Sequence, residues 1–287
     1  MAWKAYKLVY RACGGVHIGY RKLGVIQRTR PYIMGRNMWG SITSALARAK
    51  TSFDMTKYEH FGSKVMNKDI IAGYFFPALD VDEPLVPQYR TDGLHYGSMN
   101  AADFEKDFIQ SFGQTAIEPS VNTAEEGSLY ETEYIAGTVN FRQVFYVGHV
   151  FVKTDSEIVK NWDAANSFKN TVKELFVGGE RRYGFGRLAR HHCIETSSVF
   201  CCDFDGKYDN PCITVSANKP LPAHLIAGNI HKVKGEIEPL VGMVLDAQKG
   251  AGQNIENFGV CWTPGSIIEQ ETTLTIGEYG ILLKKET

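Results

Sequence analysis

Hydrophobic positions along the chain switch between a two-residue and a 3.6-residue period, and the order of the switches predicts the elements. Lys4–Arg11 (KAYKLVYR) alternates as a first strand does. Glycines at 14, 15, 19, 24 and 35 and a proline at 31 then make residues 12–36 loop and short-strand material rather than helix. From Asn37 to Ala49, Met38, Trp39, Ile42, Ala45, Leu46 and Ala49 recur at helical spacing and form one apolar face. A strand over Ile70–Phe76, a Pro/Asp-rich stretch over 77–87 and a short helix over 101–112 are predicted next. Residues 115–135 read as an excursion carrying a hairpin. Phe141–Val152 is apolar on both faces, the pattern of a central strand.

The clearest helical stripe is Ile158, Trp162, Ala165, Phe168, Val172 and Leu175, with Asp155 or Ser156 able to cap its start and Gly178–Gly179 to stop it. A strand over Leu188–Glu195 follows. Beyond it, short strands at about 198–204, 211–216, 239–246, 257–262 and 273–284 alternate with Gly and Pro, and no strong helix recurs. The order β–α–β, excursion, β–α–glycine loop–β predicts an α+β, ferredoxin-like (RRM-like) core with helices on one face. Residues 1–195 would form that core, with a thumb-like excursion at about 115–140, and 196–287 a β-rich C-terminal extension or half-domain.

Composition narrows the picture little. The 287 residues are 44% hydrophobic and 22% charged, enough to bury a sizeable core. No run of about eighteen apolar residues is present and the N-terminus lacks an apolar leader core, so neither a membrane span nor secretion is expected. Six scattered cysteines without a Cys-x-x-Cys pair read as reduced cytoplasmic thiols. Charge changes more. The net value of −1 alone speaks against a nucleic-acid partner, yet residues 1–53 hold ten Lys or Arg and no acid, which leaves the rest at −11. Such asymmetry builds either a local positive field or a basic face balanced by neighbours in space.

Two segments carry candidate chemistry. GGERRYGFGRLARHH (178–192) is no Walker loop, since no Gly-Lys-Ser/Thr follows, and its glycines do not fit a dinucleotide fingerprint. Its glycines could let backbone approach phosphate, Arg181, Arg182 and Arg187 could bind it, and Tyr183 or Phe185 could stack on bases. It could equally be a turn whose aromatics pack inside. HIGYRKLGVIQRTRPYIMGRNMWGSI (17–42) leads basic residues and tyrosines into a helix N-terminus, where free N–H groups favour anions. His17, His191 and His192 lie near these segments, and histidine can act as a base in metal-free RNA cleavage. Acid clusters such as Asp80/Asp82/Glu83 read as solvated loop charges.

Together, VHIGYRKLG (16–24) with RTRPYIMGRNMWGSITSALAR (28–48), SVNTAEEGSLYETEYIAGTVNF (120–141) and LFVGGERRYGFGRL (175–188) resemble, in order, three signatures of the RAMP (repeat-associated mysterious protein) superfamily of CRISPR effector subunits. The resemblance covers roughly residues 4–190. It implies a guide-RNA (crRNA)-binding subunit of a cytoplasmic, prokaryotic type III ribonucleoprotein effector in antiviral defence. Its partners would be guide RNA, target RNA, other RAMP subunits and a polymerase-like large subunit. The RNA-binding residues it implies are Arg21, Lys22, Arg28, Arg30, Tyr32 and Arg36 ahead of the first helix, and Gly178, Gly179, Arg181, Arg182, Tyr183, Gly184, Phe185, Gly186 and Arg187 in the loop. In target-cutting members a catalytic aspartate and a divalent metal sit after the first strand. Arg11–Tyr32 holds no Asp or Glu, so a non-catalytic subunit without cofactor or metal is expected. The alternatives are an endoribonuclease processing precursor guide RNA with His17 as base, and a metal-dependent target ribonuclease using Asp54, Asp80, Asp82 or Asp92.

Overall fold

The computed structural model describes residues 2–49, 55–156, 167–228, 232–246 and 250–285. Alternation in the first strand, β1 (Trp3–Ala12), sends Tyr6, Leu8, Tyr10 and Ala12 to one face of a sheet and Trp3, Ala5 and Val9 to the other. Its neighbours are β7 (Phe145–Lys153) on one side and β9 (Arg187–Thr196) on the other. β4 (Ile70–Ala78) pairs with β7, and β8 (Glu174–Phe176) with β9, giving the antiparallel order β8-β9-β1-β7-β4. About 49% strand and 16% helix make the protein mixed α+β.

One face of this sheet packs on helix α1 (Gly35–Arg48). Met38, Ile42 and Leu46 of α1 meet Leu8, Tyr10, Phe75 and Val150 in the larger core. The helix carries no acid in its first turn and ends on Arg48, a favourable charge at its negative pole. Helix α2 (Met55–Lys64) lies against it.

The other face is covered as well. Residues after Ser198 form an eight-stranded sheet in which Cys212–Val215, Thr272–Ile276 and Leu282–Lys284 are neighbours, and Ile237–Asp246 and Gly250–Trp262 make a long hairpin at one edge. Ile213, Val215, Leu274, Ile276 and Leu282 pack on Ile71, Tyr74, Phe76 and Phe151. β4 is therefore buried along its whole length. A slip in its pairing, with Phe75 opposite Gly148 and Ala72 opposite Val150, shifts its alternation so that Ile71 and Tyr74, three residues apart, both face the second sheet. Residues 31–34 cover the free edge of β4 through reciprocal 2.9 Å bonds between Ile33 and Phe75.

A smaller sheet stands beside this sandwich, in the order β2 (Gly19–Leu23), β3 (Ile26–Thr29), β6 (Tyr130–Ile135), β5 (Ile109–Gln114). The predicted excursion leaves it between β5 and β6 and carries a short hairpin of its own, Ile117–Glu118 against Thr123–Ala124. Helix α3 (Ala101–Phe108) is shorter than the predicted 101–112, because Ile109–Gln114 pairs along β6 instead. Asn100 caps it, its Oδ1 accepting from the Asp103 N–H at 2.8 Å. Asn100→Ala should cost about 1 kcal/mol and lower the thermal midpoint by about 2–4 °C, read by circular dichroism.

The second predicted helix needs correction. Ile158, Trp162 and Ala165 lie outside the described residues. Among the rest, helix α4 covers only Phe168–Thr171, with Ser167 as its cap. Val172 leaves helical geometry, and Leu175 sits in β8 opposite Leu188 of β9. Gly178–Gly179 thus follow a strand and do not terminate a helix. The predicted central strand is also shorter at its start: β7 begins at Phe145, after a tight turn with Asn140 and Phe141 at positive φ.

Candidate nucleic-acid interface

The glycine loop is held against the segment before β2. The Gly179 N–H donates to the His17 carbonyl at 3.0 Å, and the Gly186 N–H to the Gly15 carbonyl at 2.8 Å. The His17 ring is buried, with Nδ1 2.6 Å from the Glu133 carbonyl of β6. The ring thereby ties the segment before β2 to β6, while the His17 carbonyl ties the same segment to the glycine loop. Arg181–Tyr183 form a single 3₁₀ turn between these anchor points. Phe185 packs on Tyr134 at 4.7 Å between centroids, whereas Tyr183 stays exposed beside Phe112.

The predicted RNA-binding residues divide into two groups. Arg28, Arg30 and Arg36 are each met by an acid from far along the chain. Arg28 binds Glu133 at 2.7 Å and Glu105 at 3.1 Å. Arg30 is buried and binds Glu238 at 2.7 Å, with its guanidinium 4.4 Å from the Tyr20 ring centroid. Arg36 binds Glu256 at 2.9 Å and the Met243 carbonyl, packed over Tyr279. Tyr32 is core, against Tyr74 and Phe76. Arg187 pairs with Glu174. In the second group, Arg21, Lys22, Arg181 and Arg182 are exposed and make no ion pair among the described residues. Within the acid-free stretch Arg28, Arg30 and Arg36 are therefore balanced in space, and Arg21 and Lys22 meet no acid among the described residues.

The unbalanced part of the loop opens onto a groove of about 720 Å³. The first half of α1, Gly178–Gly179 and the hairpin residues Val241–Met243 and Ile255 form its walls. Met34 at the start of α1 supplies no side-chain cap, so the positive end of the helix meets this space uncapped. Arg181 lies on one side and Arg48 on the other; partial enclosure and the like charge of Arg48 both lower the pKa of the Arg181 guanidinium. Trp39 and Tyr58 meet edge to face at 6.1 Å in the same wall, and the Trp39 indole N–H has no partner. Sequence reasoning assigned Trp39 to the core and missed Arg48 and Tyr58. Arg48 shares a helical face with Asn37, Gly40 and Ser44 of α1, whereas Tyr58 stands on α2 and no local spacing relates it to them. The Arg181 cation, a helix pole and an unpartnered indole N–H suit a phosphodiester backbone with bases.

The remaining candidates are scattered. Asp54 lies outside the described residues. Asp80 is exposed and accepts from the Asp82 N–H, while Asp82 pairs with Lys7. His191 and His192 meet at a tilt, 4.1 Å between ring centroids, along exposed positions of β9. Among the described residues no group of three His, Cys, Asp or Glu could hold a metal ion, and no helix is long and apolar enough to cross a membrane.

No family model and no curated protein matches the sequence. Among solved structures, a chain of the Type III-B Cmr-beta complex bound to cognate target RNA and AMPPnP superposes with a TM-score of 0.52 at 14% identity, over 92% of this chain and 86% of that one. Chains of the same complex in its apo state and bound to cognate target RNA align over 65% of this chain, at TM-scores of 0.44 and 0.45 and identities of 10% and 12%. At such identities the likeness is one of fold.

Proposed function

We propose that the chain is a guide-RNA-binding subunit of a type III CRISPR effector, a member of the RAMP superfamily that holds RNA without cutting it. The groove between α1, the glycine loop and the long hairpin carries this reading, because it brings Arg181 to an uncapped helix pole with no acid among its described lining residues. The strand order β9-β1-β7-β4, with α1 between β1 and β4, supports a ferredoxin-like core, and the fold shared with a Cmr-beta chain at a TM-score of 0.52 supports it again. The passage from the first sheet to the second at residues 196–198 supports a division into a core over 1–195 and an extension over 196–287. In a cytoplasmic effector the RNA backbone lies along Arg181, Arg182, Arg21 and Lys22, with Trp39 and Tyr58 beside its bases. Arg28 and Arg30 hold the fold. Target RNA, further RAMP subunits and a polymerase-like large subunit complete the particle.

The test is charge reversal of residues whose loss leaves the fold alone. Arg181→Glu with Arg182→Glu should weaken guide-RNA affinity by about 10–100-fold near physiological salt and flatten the salt dependence by about 1.4 in log–log slope, two phosphate contacts on a single strand. Fluorescence anisotropy over a salt series measures both. Affinity and slope equal to the parent's, with an unchanged thermal midpoint, would discard the reading.

A further inference from the structure

A second cleft, of about 480 Å³, lies on the face of the first sheet away from α1 and shares no lining residue with the RNA groove. Its size falls within the ~300–1,000 Å³ of small-ligand sites. His149 of β7 forms part of its wall and is 4% exposed. The His149 Nδ1 has no hydrogen-bond partner. A buried ring nitrogen left this way forfeits about 1–3 kcal/mol unless something outside the chain meets it. Phe200 holds the ring in place, edge to face at 4.7 Å between centroids.

Charge converges on the same space. Lys7 of β1 sits directly across the ladder from His149 and binds Asp82 at 3.0 Å. Asp82 is itself 83% exposed, a carboxylate free to be displaced. Arg90 is fixed by the Gly97 carbonyl at 2.7 Å, and Lys219 completes three cations against one carboxylate. The surplus of two matches a phosphomonoester, which carries about −1.5 to −2 at neutral pH. Val86, Val147, Phe200 and Pro220 supply apolar wall for a base or sugar. Burial and the nearby Lys7 charge hold the His149 pKa at about 3, so its ring is a neutral hydrogen-bonding group and not a fourth cation.

We infer that this cleft binds a phosphomonoester of mononucleotide size, with Lys7, Arg90 and Lys219 on the phosphate and the His149 imidazole on a polar atom of the ligand. The site is independent of the RNA groove.

Isothermal titration of the full chain with adenosine 5′-monophosphate, uridine 5′-monophosphate, adenosine and inorganic phosphate tests it. Both monophosphates should bind saturably, adenosine and inorganic phosphate at least tenfold more weakly. Arg90→Glu with Lys219→Glu, both at exposed positions, should abolish binding. Asp82→Asn should tighten it several-fold by releasing Lys7. Exposed Cys201 on the rim gives a second readout: monophosphate should slow its alkylation and leave that of Cys13 unchanged. No saturable heat with either monophosphate overturns the inference, as does binding that survives the Arg90/Lys219 reversal. Loss of binding in the Arg181→Glu, Arg182→Glu protein would place the ligand in the other groove and overturn it too. Inorganic phosphate binding as tightly as the monophosphates would reduce the cleft to a bare anion site.

Discussion

Glu238→Ala should destabilise the chain by about 3–5 kcal/mol, the usual consequence of stripping one partner from a buried ion pair. Glu238 binds Arg30 at 2.7 Å and His224 Nε2 at 2.6 Å, and His224 Nδ1 lies 2.7 Å from the Tyr74 hydroxyl. His224 is fully buried and Arg30 nearly so. Without the carboxylate, the guanidinium stays inside with its charge unmatched, and Arg30 Nε already lacks a partner. Urea denaturation of the two proteins measures the loss. Glu238→Leu combined with Arg30→Met should recover a large part of it, since removing both charges also removes the desolvation penalty.

The same pair sets the acid limit of the fold. Burial pushes the Glu238 carboxyl up, but hydrogen bonds from His224 and Arg30 and the Arg30 charge outweigh it and hold its pKa at about 2, against an ordinary value of 4.5. A carboxyl depressed on folding contributes stability that is full above its unfolded pKa and is lost as pH falls from 4.5 toward 2, here about 3 kcal/mol. Burial also lowers the His224 pKa from 6.5, so protonating it opposes folding in the same direction, starting near pH 6.5. Stability measured against pH should therefore decline below 6.5 and steeply below 4.5. In Glu238→Ala the steep step should shrink; an unchanged step would locate acid sensitivity elsewhere.

A comparable loss is expected from one added methyl group at Gly178 or Gly186. Both have positive φ, 69° and 77°, and a Cβ would stand 2.0 Å from the His17 carbonyl oxygen at Gly178 and 1.9 Å from the Val177 carbonyl oxygen at Gly186. Neither obstacle is a side chain that can swing aside. Gly178→Ala or Gly186→Ala should cost roughly 3 kcal/mol or detach the loop, and displacing Arg181 and Arg182 should lower RNA affinity at least tenfold. Gly184 separates the two uses of glycine. Its φ is also positive, 86°, but the space around it is open, so Gly184→Ala should cost only about 1–2 kcal/mol. Thermal denaturation beside anisotropy on all three proteins distinguishes a packing role from a ligand role. Equal, small losses of stability would contradict the close approach at Gly178 and Gly186.

What could be read in the sequence was whatever local periodicity determines. Met38, Ile42 and Leu46 gave α1, the alternation in Lys4–Arg11 gave β1, and the turn-separated runs after 198 gave a β-rich half, although the runs expected at 198–204 and 273–284 each split into two strands. Leu175 was misplaced because the apolar spacing Phe168, Val172, Leu175 suits a helix, while the cross-strand register with Leu188 decides otherwise. Ile109–Gln114 failed likewise, its state set by β6 some twenty residues on. In the candidate site, the loop and the helix start were legible as basic and glycine-rich. That Glu105, Glu133, Glu238 and Glu256 return to neutralise Arg28, Arg30 and Arg36 was not, since each partner is at least 77 residues away.

The strand buried on both faces, β4, has a consequence for the order in which the chain can mature. Its inner side chains find α1 and β1 soon after synthesis. The outward row Ile71, Tyr74 and Phe76 waits for Leu274, Ile276 and Leu282, about 200 residues later. At ~5–20 residues per second that interval is roughly 10–40 s on the ribosome, with a sticky aromatic surface open to other nascent chains. Stop codons introduced before residue 272 should therefore yield insoluble or chaperone-bound fragments rather than a shorter working subunit.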